Sequence, residues 1–192
     1  MTPVLGVLGA LLTLTCAAVL VRADTLPTGY SPVSNAVSDY GVGSFARYYR
    51  WQTAALAYAA LILAAALART VHPVPQLLVF LLMTFAAARL VIPSFPTDLD
   101  RSRPTATGRI HLLLAGIAFA SIAWCAVALP DRVDWSSLHG TLVVLGWLIV
   151  AAAVACALTV LLPSAKPFFG LVERLFYAAT ILWFLVVSLH FV

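Results

Sequence analysis

Of the 192 residues, 63% are hydrophobic and 9% charged, against roughly 45–50% apolar and 25% charged in soluble domains, which excludes an ordinary soluble fold. At about 20 residues per helical crossing, roughly five to seven spans fit and no appended soluble catalytic domain does. The net charge of +4, from 11 basic and 7 acidic residues, is too small to track a nucleic-acid backbone, and most of the charges flank apolar runs, where membrane-edge residues belong.

Apolar windows of about 18 residues or more run from Pro3 to Val21, Trp51 to Arg69, Val74 to Ile92, Ile110 to Leu129, Leu138 to Leu162 and Leu171 to Phe191. They predict an all-α integral membrane bundle of six transmembrane helices, one domain over residues 1–192. The first run has no preceding basic residue, is too long for a signal h-region and lacks a clear cleavage site, so it reads as a helix. Pro27, Gly29, Pro73, Pro75, Pro93, Pro96, Pro130, Pro163 and Pro167 punctuate the ends of the runs. Loops two, four and five are expected to be tight hairpins, leaving loops one and three long, and a six-pass chain puts both on one face. Loops one, three and five with their margins hold Arg22, Arg47, Arg50, Arg101, Arg103, Arg109, Lys166 and Arg174, whereas loops two and four hold only Arg69 and Arg132. By the positive-inside rule the odd loops face the cytoplasm of a cell-membrane protein, with both termini outside.

Loop one carries Tyr30-Ser31-Pro32-Val33-Ser34-Asn35-Ala36-Val37-Ser38-Asp39-Tyr40-Gly41, a dense polar set for so apolar a chain. Ser34, Asn35 and Ser38 can share a helical face stopped by Gly41, and a capped, solvated turn is the structural alternative. After it, Arg47, Tyr48, Tyr49, Arg50 and Trp51 alternate basic and aromatic residues, the pattern of an interfacial anchor. In loop three, Asp98 and His111 can meet across the loop and act as acid, base or metal ligand. Thr107 is expected to cap helix four. Arg89 lies inside the third span, where a lone guanidinium costs on the order of 3 kcal/mol. It therefore calls for a carboxylate partner, drawn from Asp39, Asp98 and Glu173, or for snorkelling room. Glu173 and Arg174 are expected together on one face of the first turn of helix six.

His72, His139 and His190 fall at the opposite surface, and His139 with either of the others is the only pair available for haem ligation; His111 is a helix length away. Cys16, Cys125 and Cys156 sit within apolar runs and read as buried thiols. No metal site is assigned and the cofactor is left unknown. Alanine runs such as Ala64-Ala65-Ala66 and Ala151-Ala152-Ala153 allow close helix approach, while no strict G-x-x-x-G supports a homo-oligomer.

The loop-one stretch from Tyr30 to Gly41, the Phe95-Pro96-Thr97-Asp98 turn, Gly108 with His111, and Gly170 to Arg174 resemble, in this order, the bacterial and archaeal multipass proteins grouped as domain-of-unknown-function family 998. The resemblance covers nearly the whole chain and implies a six-span fold without an activity to transfer. A looser likeness in span number and polar first loop extends to the eukaryotic Frag1/DRAM-type membrane proteins, some of them implicated in lipid remodelling.

Three functions compete. In the first, the odd-loop face handles or modifies a lipid headgroup. Asp39, Asp98 and His111 would carry the chemistry, with Ser34, Asn35, Ser38, Glu173 and the basic Arg47, Arg50, Arg89, Arg109 and Arg174 holding the substrate. In the second, the same residues knit the helix ends of a scaffold or accessory subunit. The third, a small transporter, finds little support because no span is broken mid-membrane. Membrane lipids are the expected partners, and nucleic acid is not. A lipid-sized cavity beneath loops one and three would favour the first, and a solid bundle the second.

Overall fold

A computed structural model describes residues 2–100 and 103–192 of the chain; Arg101, counted among the basic loop residues, lies outside them. Six helices form: α1 (Thr2–Asp24), α2 (Ala46–Thr70), α3 (Gln76–Val91), α4 (Ala106–Ala128), α5 (His139–Leu161) and α6 (Phe169–His190). All six are long and apolar enough to cross a membrane, α3 together with the short turn that follows it. The protein is a multi-pass membrane protein in contact with lipid, and no strand occurs among the described residues. Proline ends the helices as expected, standing in the short 3₁₀ turns that follow α3, α4 and α5. Loop four is longer than a tight hairpin, because Pro130–Arg132 makes a 3₁₀ turn before α5 starts at His139.

Each helix packs on its sequence neighbour, and α6 closes the ring on α1. α2 also touches α6 across the ring. That contact divides the bundle into a tight half of α1, α2 and α6 and a wider half bounded by α3, α4 and α5. The alanines of α2 permit the crowding: Ala57, Ala59 and Ala60 are fully buried. Cys16, Cys125 and Cys156 are buried free thiols. In the middle of the bundle Trp183, Phe184 and Phe85 fill the interior, and at the even-loop end the His190 ring lies tilted against Trp135 with ring centres 4.0 Å apart.

Helices α4 and α5 are in close contact near that same end. A Cβ on Gly146 would press on the Ala126 backbone, 2.8 Å from its carbonyl oxygen, so only glycine lets the two helices touch there. Towards the odd-loop end their facing walls are separated by a cavity.

Candidate functional site

Arg89 sits in the last turn of α3 and is only 2% exposed. It does not snorkel: its guanidinium turns inward to meet the two most buried helices. Nη2 donates to Gln52 Oε1 of α2 at 2.7 Å, and Nη1 donates to the Tyr177 hydroxyl of α6 at 2.6 Å. The expected carboxylate partner is replaced by a neutral amide and a phenol, since among the described residues none of Asp39, Asp98 and Glu173 ion-pairs with Arg89. The Nε–H is buried without a hydrogen bond. A charge this deep, hydrogen-bonded only to neutral groups, is costly unless something further answers it.

Asp98 and His111 do not bond one another. The Asp98 carboxylate accepts from the Thr105 backbone N–H at 2.8 Å and from its hydroxyl at 2.7 Å. Thr105 Oγ1 in turn accepts from Gly108 N, making Thr105 rather than Thr107 the N-cap of α4. His111 Nδ1 donates to the Phe95 carbonyl at 2.7 Å, which fixes the tautomer and leaves Nε2 as the available nitrogen. Its ring lies against Tyr49, with centroids 6.2 Å apart. Removing the cap hydroxyl in Thr105→Ala is expected to cost about 1 kcal/mol. Gly108→Ala should cost more, because its new methyl would overlap the Asp98 carboxylate; thermal unfolding of the two variants checks that order.

Loop one is neither wholly helical nor a solvated turn. Residues Ser31 to Asn35 form a turn closed by Asn35 N–H to Ser31 O at 2.8 Å, and Val37–Gly41 form a 3₁₀ helix. Ser34, Asn35 and Ser38 therefore do not share a helical face. Asp39 accepts from Ala36 N and Asn35 Nδ2, each at 3.0 Å, holding the turn to the 3₁₀ helix. Glu173, 5% exposed, reaches across from α6 and accepts from Val37 N at 2.6 Å. Adjacent residues on a helix diverge by about 100°, so Arg174 turns the other way instead of sharing the face of Glu173. Its Nη2 meets Asp24 at 2.6 Å, and its Nη1 donates to the carbonyls of Pro32, Asn35 and Gly170. The Tyr40 hydroxyl donates to the same Asp24 carboxylate at 3.0 Å. Burial and that hydrogen bond push the Tyr40 phenol up to about 12, keeping it a donor.

Between these groups lies a cavity of about 760 Å³, within the size range of small-ligand sites. Six residues expected from sequence line it: Ser38, Arg89, Asp98, Arg109, His111 and Glu173. Asn35, Asp39 and Arg174 stand behind it, fastening loop one, while Ser34, Arg47 and Arg50 are exposed away from it. Lys166 and Tyr49 also line it, and Tyr177 does so while holding Arg89 with Gln52. Gln52 is the lone amide in an alanine-rich span, and Tyr177 follows Glu173 by one turn; both signals are in the sequence. Below the polar end, Phe119 stacked on Phe176 at 3.9 Å makes an apolar floor. Gly116, Ala120, Val154 and Ala157 of α4 and α5 line the cavity and are exposed to the bilayer side. A shallow groove continues from it over the outer face of α4 along Leu113, Gly116 and Ile117.

The family described as "Protein of unknown function (DUF998)" matches residues 7–190. The chain belongs to the DUF998 family. No curated protein and no solved structure matches it. In this DUF998 protein all four segments that carried the resemblance meet at the odd-loop end. The Tyr30–Gly41 stretch and Gly170 to Arg174 clasp each other, Phe95 holds His111, and Asp98 holds Thr105, the N-cap of the helix that contains Gly108.

Proposed function

We propose that this protein binds a membrane lipid, with the headgroup at the odd-loop end of the cavity and the acyl part between α4 and α5. The observation that carries this reading is a single cavity joining a buried cation and polar wall to an apolar groove that faces the bilayer. A scaffold would gain nothing from leaving such a space in an otherwise packed bundle. A transporter would place its site near mid-membrane, between broken helices. Of the three residues expected to carry chemistry, His111 has the available atom, Nε2. From the cavity wall it would exchange a proton with a headgroup, whereas both Asp98 oxygens are engaged by Thr105.

The cavity can be filled from its wall. In Ala153→Phe the ring enters the space between α4 and α5. Protein purified from native membranes should carry a tightly held lipid, detected by mass spectrometry, that is missing from the equally monodisperse variant. Equal lipid in both would overturn the reading.

The same reading keeps the odd loops in the cytoplasm. With Arg109, Lys166 and Arg174 assigned to the cavity and the loop-one clasp, Arg22, Arg47, Arg50 and Arg103 still outnumber Arg69 and Arg132. A reporter fused at Val192 should be inactive in the cytoplasm.

A further inference from the structure

The lipid reading leaves the class of headgroup open, and the charges around the cavity narrow it. Its walls carry Arg89, Arg109 and Lys166 against Asp98 and Glu173. Both acids already accept hydrogen bonds from protein: Asp98 through both oxygens from Thr105, and Glu173 from the Val37 N–H. The cations are less well answered. Arg89, 2% exposed, has only neutral partners and an orphaned Nε–H. Arg109 and Lys166 are exposed and have no ion-pair partner among the described residues. They stand on the first turn of α4 and on the α5–α6 connection, the two elements that flank the polar end of the gap between α4 and α5.

Resting on the lipid reading, we infer that the occupant is an anionic phospholipid that enters sideways from the bilayer through the α4–α5 gap. Its phosphate lies between Arg89 below and Arg109 with Lys166 at the rim. Guanidinium and phosphate make charge-assisted hydrogen bonds in a fixed fork, which supplies the hydrogen-bonded anionic partner that Arg89, held only by Gln52 and Tyr177, does not have in the protein. The chain then lies along small residues: Gly116 presents no side chain to the gap, and no atom would meet a Cβ added there.

The test titrates the full-length protein in neutral detergent with dioleoyl phosphatidylglycerol, dioleoyl phosphatidylcholine, dioleoylglycerol and sodium phosphate, reading bound ligand by native mass spectrometry. Phosphatidylglycerol should bind about tenfold or more tightly than dioleoylglycerol, the ratio of a charge-assisted hydrogen bond made or missing, and more tightly than phosphatidylcholine. The exposed rim double variant Arg109→Gln/Lys166→Gln, which leaves the interior untouched, should erase most of the preference over phosphatidylcholine. Gly116→Phe should exclude every lipid while the protein stays folded. Equal binding of dioleoylglycerol and phosphatidylglycerol, indifferent to the rim, would overturn the anionic inference and leave the lipid site standing. Saturation by phosphate with no lipid bound would mean a soluble-anion site and overturn both. Failure of all four ligands to bind would likewise remove the lipid reading itself.

Discussion

Replacing Arg89 with Met is expected to destabilise the protein by on the order of 3 kcal/mol, the largest effect of any single change considered. The loss does not come from an ion pair. Gln52 and Tyr177 are buried, and without the guanidinium their amide oxygen and hydroxyl lose the donor that each accepts from. Leaving such groups unpaired costs more than their hydrogen bonds contribute when made. The double variant Arg89→Met/Gln52→Leu should therefore recover part of the loss, because both ends of one buried bond become apolar together. Thermal unfolding in detergent measures all of these, and an unchanged midpoint for Arg89→Met would contradict the description of the site.

Arg174→Lys is expected to release loop one, at a loss of about 2 kcal/mol. The arginine is a three-way tie. Nε and Nη2 grip Asp24 at the end of α1, and Nη1 takes the carbonyls of Pro32 and Asn35 in the loop and of Gly170 in its own helix. Lysine keeps the charge, but its three donors leave from one atom and cannot reproduce a planar fork spanning a carboxylate and separate carbonyls. Hydrogen exchange of residues 25–45 reports the result. Faster exchange there, with the helices unchanged, is the expected outcome, and Asp24→Asn should give a weaker version of it. Because Ser38 from this loop lines the cavity, the same variants should also weaken the lipid binding proposed for it.

The two expectations separate what could be read along the chain from what could not. Hydropathy located all six spans, and their ends fell close to the structure's because prolines and charges stop an apolar helix wherever it is placed. The gathering of polar residues at the odd-loop face was also legible, since loop parity alone puts loops one and three on one side. Arg89 could be singled out as buried and in need of partners, but its partners came out differently. Scarcity made the acids look like the natural candidates, whereas Gln52 and Tyr177 were brought to the guanidinium by the way α2 and α6 touch across the ring. Similarly, Asp98 and His111 each found a local partner, Thr105 and the Phe95 carbonyl, ahead of one another.

Composition and periodicity thus determined the membrane class, the number of crossings and the end of the bundle at which its scarce polar groups collect. These follow from the cost of exposing charge or unbonded backbone to hydrocarbon, which each segment bears independently of the others. Tertiary structure alone decided that Glu173 turns inward and Arg174 towards Asp24, that Arg89 is hydrogen-bonded by neutral groups, and that α4 and α5 leave a cavity between them beyond Gly146. Each of these depends on side chains far apart in the chain competing for the same volume, and local pattern does not encode that competition.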